Sequence, residues 1–433
     1  MRLRVNNLIL LMFVIAPFFG IFKMLLGVGY APIVIDFLSF TLLLFFLYQR
    51  GIPSNVYAVT LLLFLCLGVL LLFVPYDASL GFKLQGFRSS VYYMIFALLP
   101  FYQRIDDRFI EKFVKVNLVT GIVVCIYAIR QYFYPLDFEL AYSMLEGVGS
   151  HFYGDTYQRE EGRFRIFGPM ITSTHLGSYA LFVFFLSCSS INSNTIGKSL
   201  IVSSICLSLI VLLITYSRTS LIGFFAGLVF FMFCLLKISK GREILHRGLS
   251  LIVLGVVAGA VVMLLMHNVP MLAERFGTLS NIGEISSFQS RLTIWDFRLK
   301  QIGANWLGYG TGIAGFHGGS ITIMPVDNQF LKMFIEMGWF GGVAFIVILM
   351  MPFSIWNRLS KYSSNAIFVG GGLAFIFAVI VIMGASQILE GFPTAMFFWY
   401  MSGLLIVLKK QNAGKYILAK KIGLQRPVGL YET

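Results

Sequence analysis

The stretch Asp327-Asn328-Gln329-Phe330-Leu331-Lys332, followed closely by Glu336-Met337-Gly338-Trp339-Phe340-Gly341-Gly342, decides how this chain is read. It closes the longest break between apolar runs, about Asn268 to Gly342, where the chain re-enters a hydrophobic segment. Carboxylates, a lysine and amides at the mouth of a membrane helix cost free energy, so polar chemistry there points to function. Everything else reads as a scaffold that presents this loop on one side of a bilayer.

Working outward, the composition excludes an ordinary water-soluble globule: 58% of the 433 residues are hydrophobic and only 12% charged, with a mean hydropathy of +0.84. Apolar runs of roughly 17 to 23 residues match the length needed to cross hydrocarbon as helices. The expected spans are approximately 7 to 26, 30 to 48, 56 to 74, 87 to 102, 113 to 133, 169 to 190, 198 to 214, 220 to 237, 248 to 266, 330 to 356, 365 to 386 and 388 to 408. The expected fold is therefore all-α and polytopic, a single integral membrane domain over residues 1–433 with about twelve transmembrane helices. No cleavage pattern follows the first run, which is kept as a helix.

The charge of +14 is concentrated in short loops and the tail, a distribution that sets topology rather than one that binds nucleic acid. With Arg2 and Arg4 inside, alternate connections place 20 of the 33 basic residues on the cytoplasmic side. Both termini are accordingly expected in the cytoplasm. The five cysteines all lie in apolar runs without a CxxC pair, against both a disulfide framework and a metal site.

Two long connections, 135–168 and 267–329, then fall outside the cytoplasm. The first carries Arg159, Arg163 and Arg165 among Phe152, Tyr153, Tyr157, Phe164 and Phe167, a mixture suited to anions and the apolar faces of sugars. A solvated loop with interfacial aromatics is the alternative. In Thr215-Tyr216-Ser217-Arg218-Thr219-Ser220, Arg218 sits at a helix start that Ser217 or Thr219 can cap. Free N–H groups plus a guanidinium make an anion site there, unless the arginine merely snorkels to headgroups. In the second loop, Ser290 to Leu299 has helical spacing, with Leu292, Trp295, Leu299 and Ile302 on one stripe and Arg291 and Arg298, seven apart, on another. Such a helix can lie along a membrane surface and direct two cations at a headgroup, or simply be an amphipathic helix with solvated arginines.

Several motifs mislead. Gly310-Thr311-Gly312-Ile313-Ala314-Gly315 spells GxGxxG but follows no expected strand. Gly308-Tyr309-Gly310 lacks the Thr-Val that precedes it in a potassium filter. Asp137-Phe138-Glu139 is a lone acidic pair without histidine support. His175, His267 and His317 have no metal-ligand spacing and read as hydrogen-bonded bystanders. No metal and no cofactor is expected.

Taken together, Tyr216 to Ser220 leading into an apolar helix, Arg291-Leu292-Thr293-Ile294-Trp295, the Leu307-Gly308-Tyr309-Gly310-Thr311-Gly312 turn and the stretch at 327 resemble the O-antigen ligase and polymerase (Wzy) family. The resemblance covers mainly 160 to 345 and implies a GT-C-like membrane glycosyltransferase. Ligases of the family carry a His-Asn pair, nine residues, Gly, two residues, Gly. Here Asn328, Gly338 and Gly341 keep that register, but Asp327 stands where the histidine would be, which favours a polymerase over a ligase. The resemblance maps the family's arginines onto Arg218 and Arg291, with Arg159, Arg163 and Arg165 in the loop where polymerases use arginines.

What this implies is transfer of a glycan from undecaprenyl diphosphate to another sugar on the outer face of the cytoplasmic membrane. Membrane lipid, a flippase and a chain-length regulator are the further partners implied. The expected site is Asp327 as general base with Arg218 and Arg291 on the diphosphate, and Arg159, Arg163, Arg165, Arg298 and Asn328 binding substrate. Asp327 as a helix N-cap is the competing reading. Glu336 and Lys332 are expected to pair with each other at i, i+4. Two alternatives remain: a ligase moving finished glycan to a lipid or protein acceptor, and a flippase, which would need related halves and polar groups at mid-membrane depth, whereas this chain puts its polar residues in two external loops and shows no repeat between its halves.

Overall fold

Each apolar run becomes a helix because a backbone in hydrocarbon has to satisfy its own N–H and C=O groups. The computed structural model describes residues 2–26, 31–74, 79–144, 159–160, 163–170, 172–238, 286–315, 326–361 and 365–421. The expected ninth span, parts of both long loops, and His267 and His317 lie outside the described residues.

The chain begins with α1 (Arg2–Ile15), continued through one 3-10 turn into α2 (Phe19–Leu26). Then come α3 (Ala31–Arg50), α4 (Val56–Leu70), α5 (Leu80–Ser90), α6 (Asp107–Phe133) and α7 (Asp137–Met144). After a two-residue antiparallel ladder pairing Arg159 with Phe164 and Glu160 with Arg163, the helices are α8 (Ser173–Ser189), α9 (Lys198–Ile214), α10 (Arg218–Ile238), α11 (Ser286–Ala304), α12 (Gln329–Met350), α13 (Ala366–Met383) and α14 (Phe392–Lys421). Among the described residues seven helical segments are long and apolar enough to cross a bilayer, from Val5–Leu25 to Phe392–Gln411, and Lys198–Ile214 is apolar but shorter.

The expected span over 87 to 102 departs furthest from a regular helix. In place of a helix over 87 to 102, α5 ends at Ser90 and two 3-10 segments follow, Tyr92–Ala97 and Leu99–Tyr102. They run against α14, and Val91 to Leu99 is almost wholly buried. Protein rather than lipid surrounds this segment, so its less regular backbone is tolerated.

Contacts between helix ends establish which termini lie together. Asn7 accepts a hydrogen bond from Lys112 at 2.8 Å, Asn365 donates to Asp107 at 2.7 Å, Arg50 donates to the Tyr102 carbonyl at 2.5 Å, and Lys409 donates to Ser354 at 2.7 Å. The start of α1 and Lys409 near the end of α14 therefore share one end of the bundle, here called the basic end. At the opposite end, Gly223 of α10 packs against Ile382 of α13, and the next link is from Asn328 to the Gly384 carbonyl at 2.8 Å. The starts of α10 and α12 and the finish of α13 thus share that far end, where the loops of interest emerge.

Candidate active site at the far end of the bundle

The local backbone explains why α12 starts where it does. Asn328, extended at φ −155°, accepts hydrogen bonds on its side-chain oxygen from the N–H groups of Phe330 and Leu331, while its amide nitrogen donates to Gly384. Asn328, not Asp327, is the N-cap. That leaves the Asp327 carboxylate free of the capping role weighed for it, and it accepts instead from Arg291 Nε at 3.2 Å. The pair stays partly open, 29% exposed at Arg291 and 26% at Asp327.

Two residues singled out thirty-six positions apart thus meet at the mouth of α12. Arg298, on the same helix as Arg291, turns to Gln301 at 2.6 Å and lies over the Phe297 ring at 5.2 Å; burial pushes its proton affinity below that of an ordinary guanidinium. Of the apolar stripe on α11, Ile302 is buried and Trp295 half-buried in a small cluster with Ile313, Ala314, Val326 and Ile335. Leu292 and Leu299 are exposed, together with Ile294 and Phe297.

Arg218 opens α10, and the turn before it is held in an uncommon conformation. Tyr216 has φ +52°, a region costly for a bulky side chain. Its ring hydroxyl lies 3.2 Å from that of Tyr132, and its carbonyl accepts from Arg165 Nη2 at 3.3 Å. Ser217 caps the helix by accepting from the Ser220 N–H at 3.3 Å. Arg165 reaches this turn because Gln131 Oε1 accepts from the N–H groups of Phe167 and Gly168 at 3.0 and 2.7 Å. The first long loop is thereby brought back beside the start of α10, two residues from Arg218. Arg159 and Arg163 belong to the short ladder just before it.

The glycine-rich turn has a structural role. Gly338 breaks α12 with φ +67° and ψ −173°, and the carbonyls of Ile335 and Glu336 accept instead from the N–H groups of Tyr309 and Gly310 at 2.8 and 3.0 Å. Trp339 N–H returns a bond to the Trp306 carbonyl at 2.9 Å. A Cβ on Gly338 would collide with Trp306 and Leu307, and one on Gly308 with the backbone of 336 to 338. The literal GxGxxG begins inside a turn that docks on a helix kink. The register of Asn328 and Gly338 is a cap followed by a break.

Below the mouth, the expected pairing of Lys332 with Glu336 does not occur. The fully buried Lys332 ammonium is paired with Glu390, while Glu336 accepts from Ser90 at 2.8 Å and from the Ala314 N–H at 3.2 Å. Gln387 donates to both the Ala314 and Val326 carbonyls, closing the two ends of the segment that leads to Asp327. A second pair, Arg88 with Asp36, joins α5 to α3. The polar residues are therefore not confined to the external loops. Asp36, Arg88 and Glu390 are each a single charge in an otherwise apolar run, where hydropathy masks them, although an isolated intramembrane charge is itself a signal. His175 lies 3.2 Å from the Thr394 hydroxyl as a hydrogen-bonded core residue. Gln329, fully buried in the first turn of α12, has no hydrogen-bond partner for its side-chain atoms among the described residues.

The fold and site define a polytopic α-helical membrane protein with an open arginine–carboxylate pair at one end. Residues 203–346, about a third of the chain, match the family model described as O-antigen ligase, so this segment is similar to that family. The matched segment runs from α9 into α12 and contains Arg218, Arg291, Asp327, Asn328 and Gly338. No match was found among curated proteins.

Proposed function

We propose that this protein is a polymerase that joins undecaprenyl-diphosphate-linked oligosaccharide repeat units into a surface polysaccharide, acting at the outer face of the cytoplasmic membrane. The observation that carries the reading is the contact of Arg291 with Asp327 at the mouth of α12, inside the segment that matches the family. The basic end faces the cytoplasm, as an excess of Lys and Arg dictates, so this mouth faces outward. Both termini are then cytoplasmic.

The reaction requires an acceptor hydroxyl to attack the anomeric carbon of the donor, which breaks its bond to the diphosphate. Asp327 takes the hydroxyl proton, and undecaprenyl diphosphate leaves with the bonding electrons. Arg291 and Arg218 neutralise the charge that gathers on the departing diphosphate, and Arg165, held beside the start of α10, adds a third cation. Because Arg291 already holds Asp327, an arriving diphosphate competes for the same guanidinium. Donor binding and release of the carboxylate are then a single event, which ties base activation to a loaded site. Arg298 is committed to Gln301 and Asn328 to capping, so both act by shaping the site.

The buried charges do not favour a flippase. Lys332 is tied to Glu390, Arg88 to Asp36, and Glu336 to Ser90 and Ala314, each to another protein group rather than to a path through the bundle. The test is to incubate purified protein with a synthetic polyprenyl-diphosphate repeat unit and separate the products by size. A polymerase yields a ladder without any second acceptor. A single product formed only when a lipid or protein acceptor is added would instead make the protein a ligase.

A further inference from the structure

At the basic end, away from Asp327, a cavity of about 380 Å³ opens between the start of α4, the 3-10 segment Met351–Lys361 that follows α12, and α14. Arg358, Lys409 and Lys410 line it together with the Ser354 hydroxyl, and among the described residues no carboxylate lines it. Val56, Met351 and Ile406 give it apolar walls. Lys409 donates to Ser354 at 2.7 Å, and Arg358 and Lys410 face the same cavity. Like charges facing one cavity raise its energy, and a bound anion reverses that sign. The topology rule accounts for cations at this end of the bundle, but not for three of them meeting over an apolar recess.

We propose that this cavity binds the headgroup phosphate of an anionic phospholipid from the adjoining leaflet, with Arg358, Lys409 and Lys410 on the phosphate and the glycerol and first methylenes against Ile406 and Val56. The inference stands on the cavity alone and is independent of the glycan-transfer reading. Basic pockets between membrane helices recognise such headgroups through the same charges that draw polybasic segments to anionic leaflets.

The experiment places full-length protein in nanodiscs of mixed phosphatidylglycerol and phosphatidylethanolamine, extracts it mildly in detergent and quantifies the lipid that stays bound. The wild type retains phosphatidylglycerol in excess over its share of the bilayer. The double variant R358Q/K410Q loses that excess by about tenfold or more. Val56→Trp, at an exposed position on the cavity wall, fills the recess and lowers the excess while leaving every charge in place. Lys115→Gln with Lys198→Gln, basic residues at the same end but outside the cavity, leave it unchanged. Equal loss in that control pair, or full retention in Val56→Trp, overturns the proposal in favour of diffuse attraction. Displacement of the retained lipid by inorganic phosphate alone would overturn it in favour of a free-phosphate site.

Discussion

Two arginine- or lysine-to-carboxylate pairs lie near one another at α12, and they differ in one respect that separates their roles. Arg291 and Asp327 are each more than a quarter exposed and meet through a single nitrogen at 3.2 Å. Lys332 and Glu390, about one helical turn deeper, are 0% and 6% exposed. A buried pair cannot exchange its partner for water or substrate, so it fastens α12 to the segment before α14. An open pair can, which is why the proposed chemistry is placed there. Depth in the bundle, rather than residue type, distinguishes the tie from the proposed site.

The sharpest way to break this contrast is to remove one member of the buried pair. Lys332→Met removes the ammonium that faces the buried Glu390 carboxylate and is expected to cost about 3 to 5 kcal/mol of stability, read as a large drop in thermal stability in detergent. The double variant with Glu390→Met should recover most of it. If Lys332→Met unfolds at the wild-type temperature, the tie is not holding the fold. At the open pair the expectation reverses: Arg291→Gln should melt as the wild type does yet lose about 10²- to 10³-fold in polymer formation, the scale for one donor to a developing charge. Equal damage to folding would erase the distinction between the two pairs.

Smaller effects sharpen the boundary between them. Gly338→Ala places a Cβ against Trp306 at positive φ and should cost about 1 to 3 kcal/mol, with the docked turn at 306 to 310 becoming more accessible to amide hydrogen exchange. No change in exchange there would separate the turn from the kink. Asn328→Ala removes the cap and should cost about 1 kcal/mol, most of which Asn328→Asp restores. A wild-type melting temperature for Asn328→Ala would show that the cap contributes nothing.

The sequence made the scaffold legible wherever hydrocarbon imposes a single solution. Most expected spans stand as helices within a few residues, because an apolar run in lipid has no other way to satisfy its backbone. The run at 87 to 102 was misread because it is surrounded by protein, a circumstance that hydropathy cannot register. Of the proposed site, Arg218, Arg291 and Asp327 were visible as charges at helix mouths, and the structure brings Arg291 and Asp327 into contact. Which member of Asp327-Asn328 would cap α12 was not legible, since both residue types cap equally well. The choice depends on Gly384, fifty-six positions away, taking the other end of the Asn328 amide. Lys332 and Glu336 satisfied the i, i+4 rule in sequence, yet each is partnered elsewhere, Lys332 by Glu390 and Glu336 by Ser90 and the Ala314 N–H.

The central claim is that an open carboxylate at the mouth of α12 removes the acceptor proton, and it is tested most directly by comparing Asp327→Asn with the wild type in the ladder assay. Asn328 supplies the cap in both, so folding is preserved and the change falls on the chemistry. The account predicts a stable protein that still binds the lipid-linked repeat unit but forms no ladder, with activity down by about 10²- to 10⁴-fold. A ladder of wild-type length and rate from Asp327→Asn would contradict it.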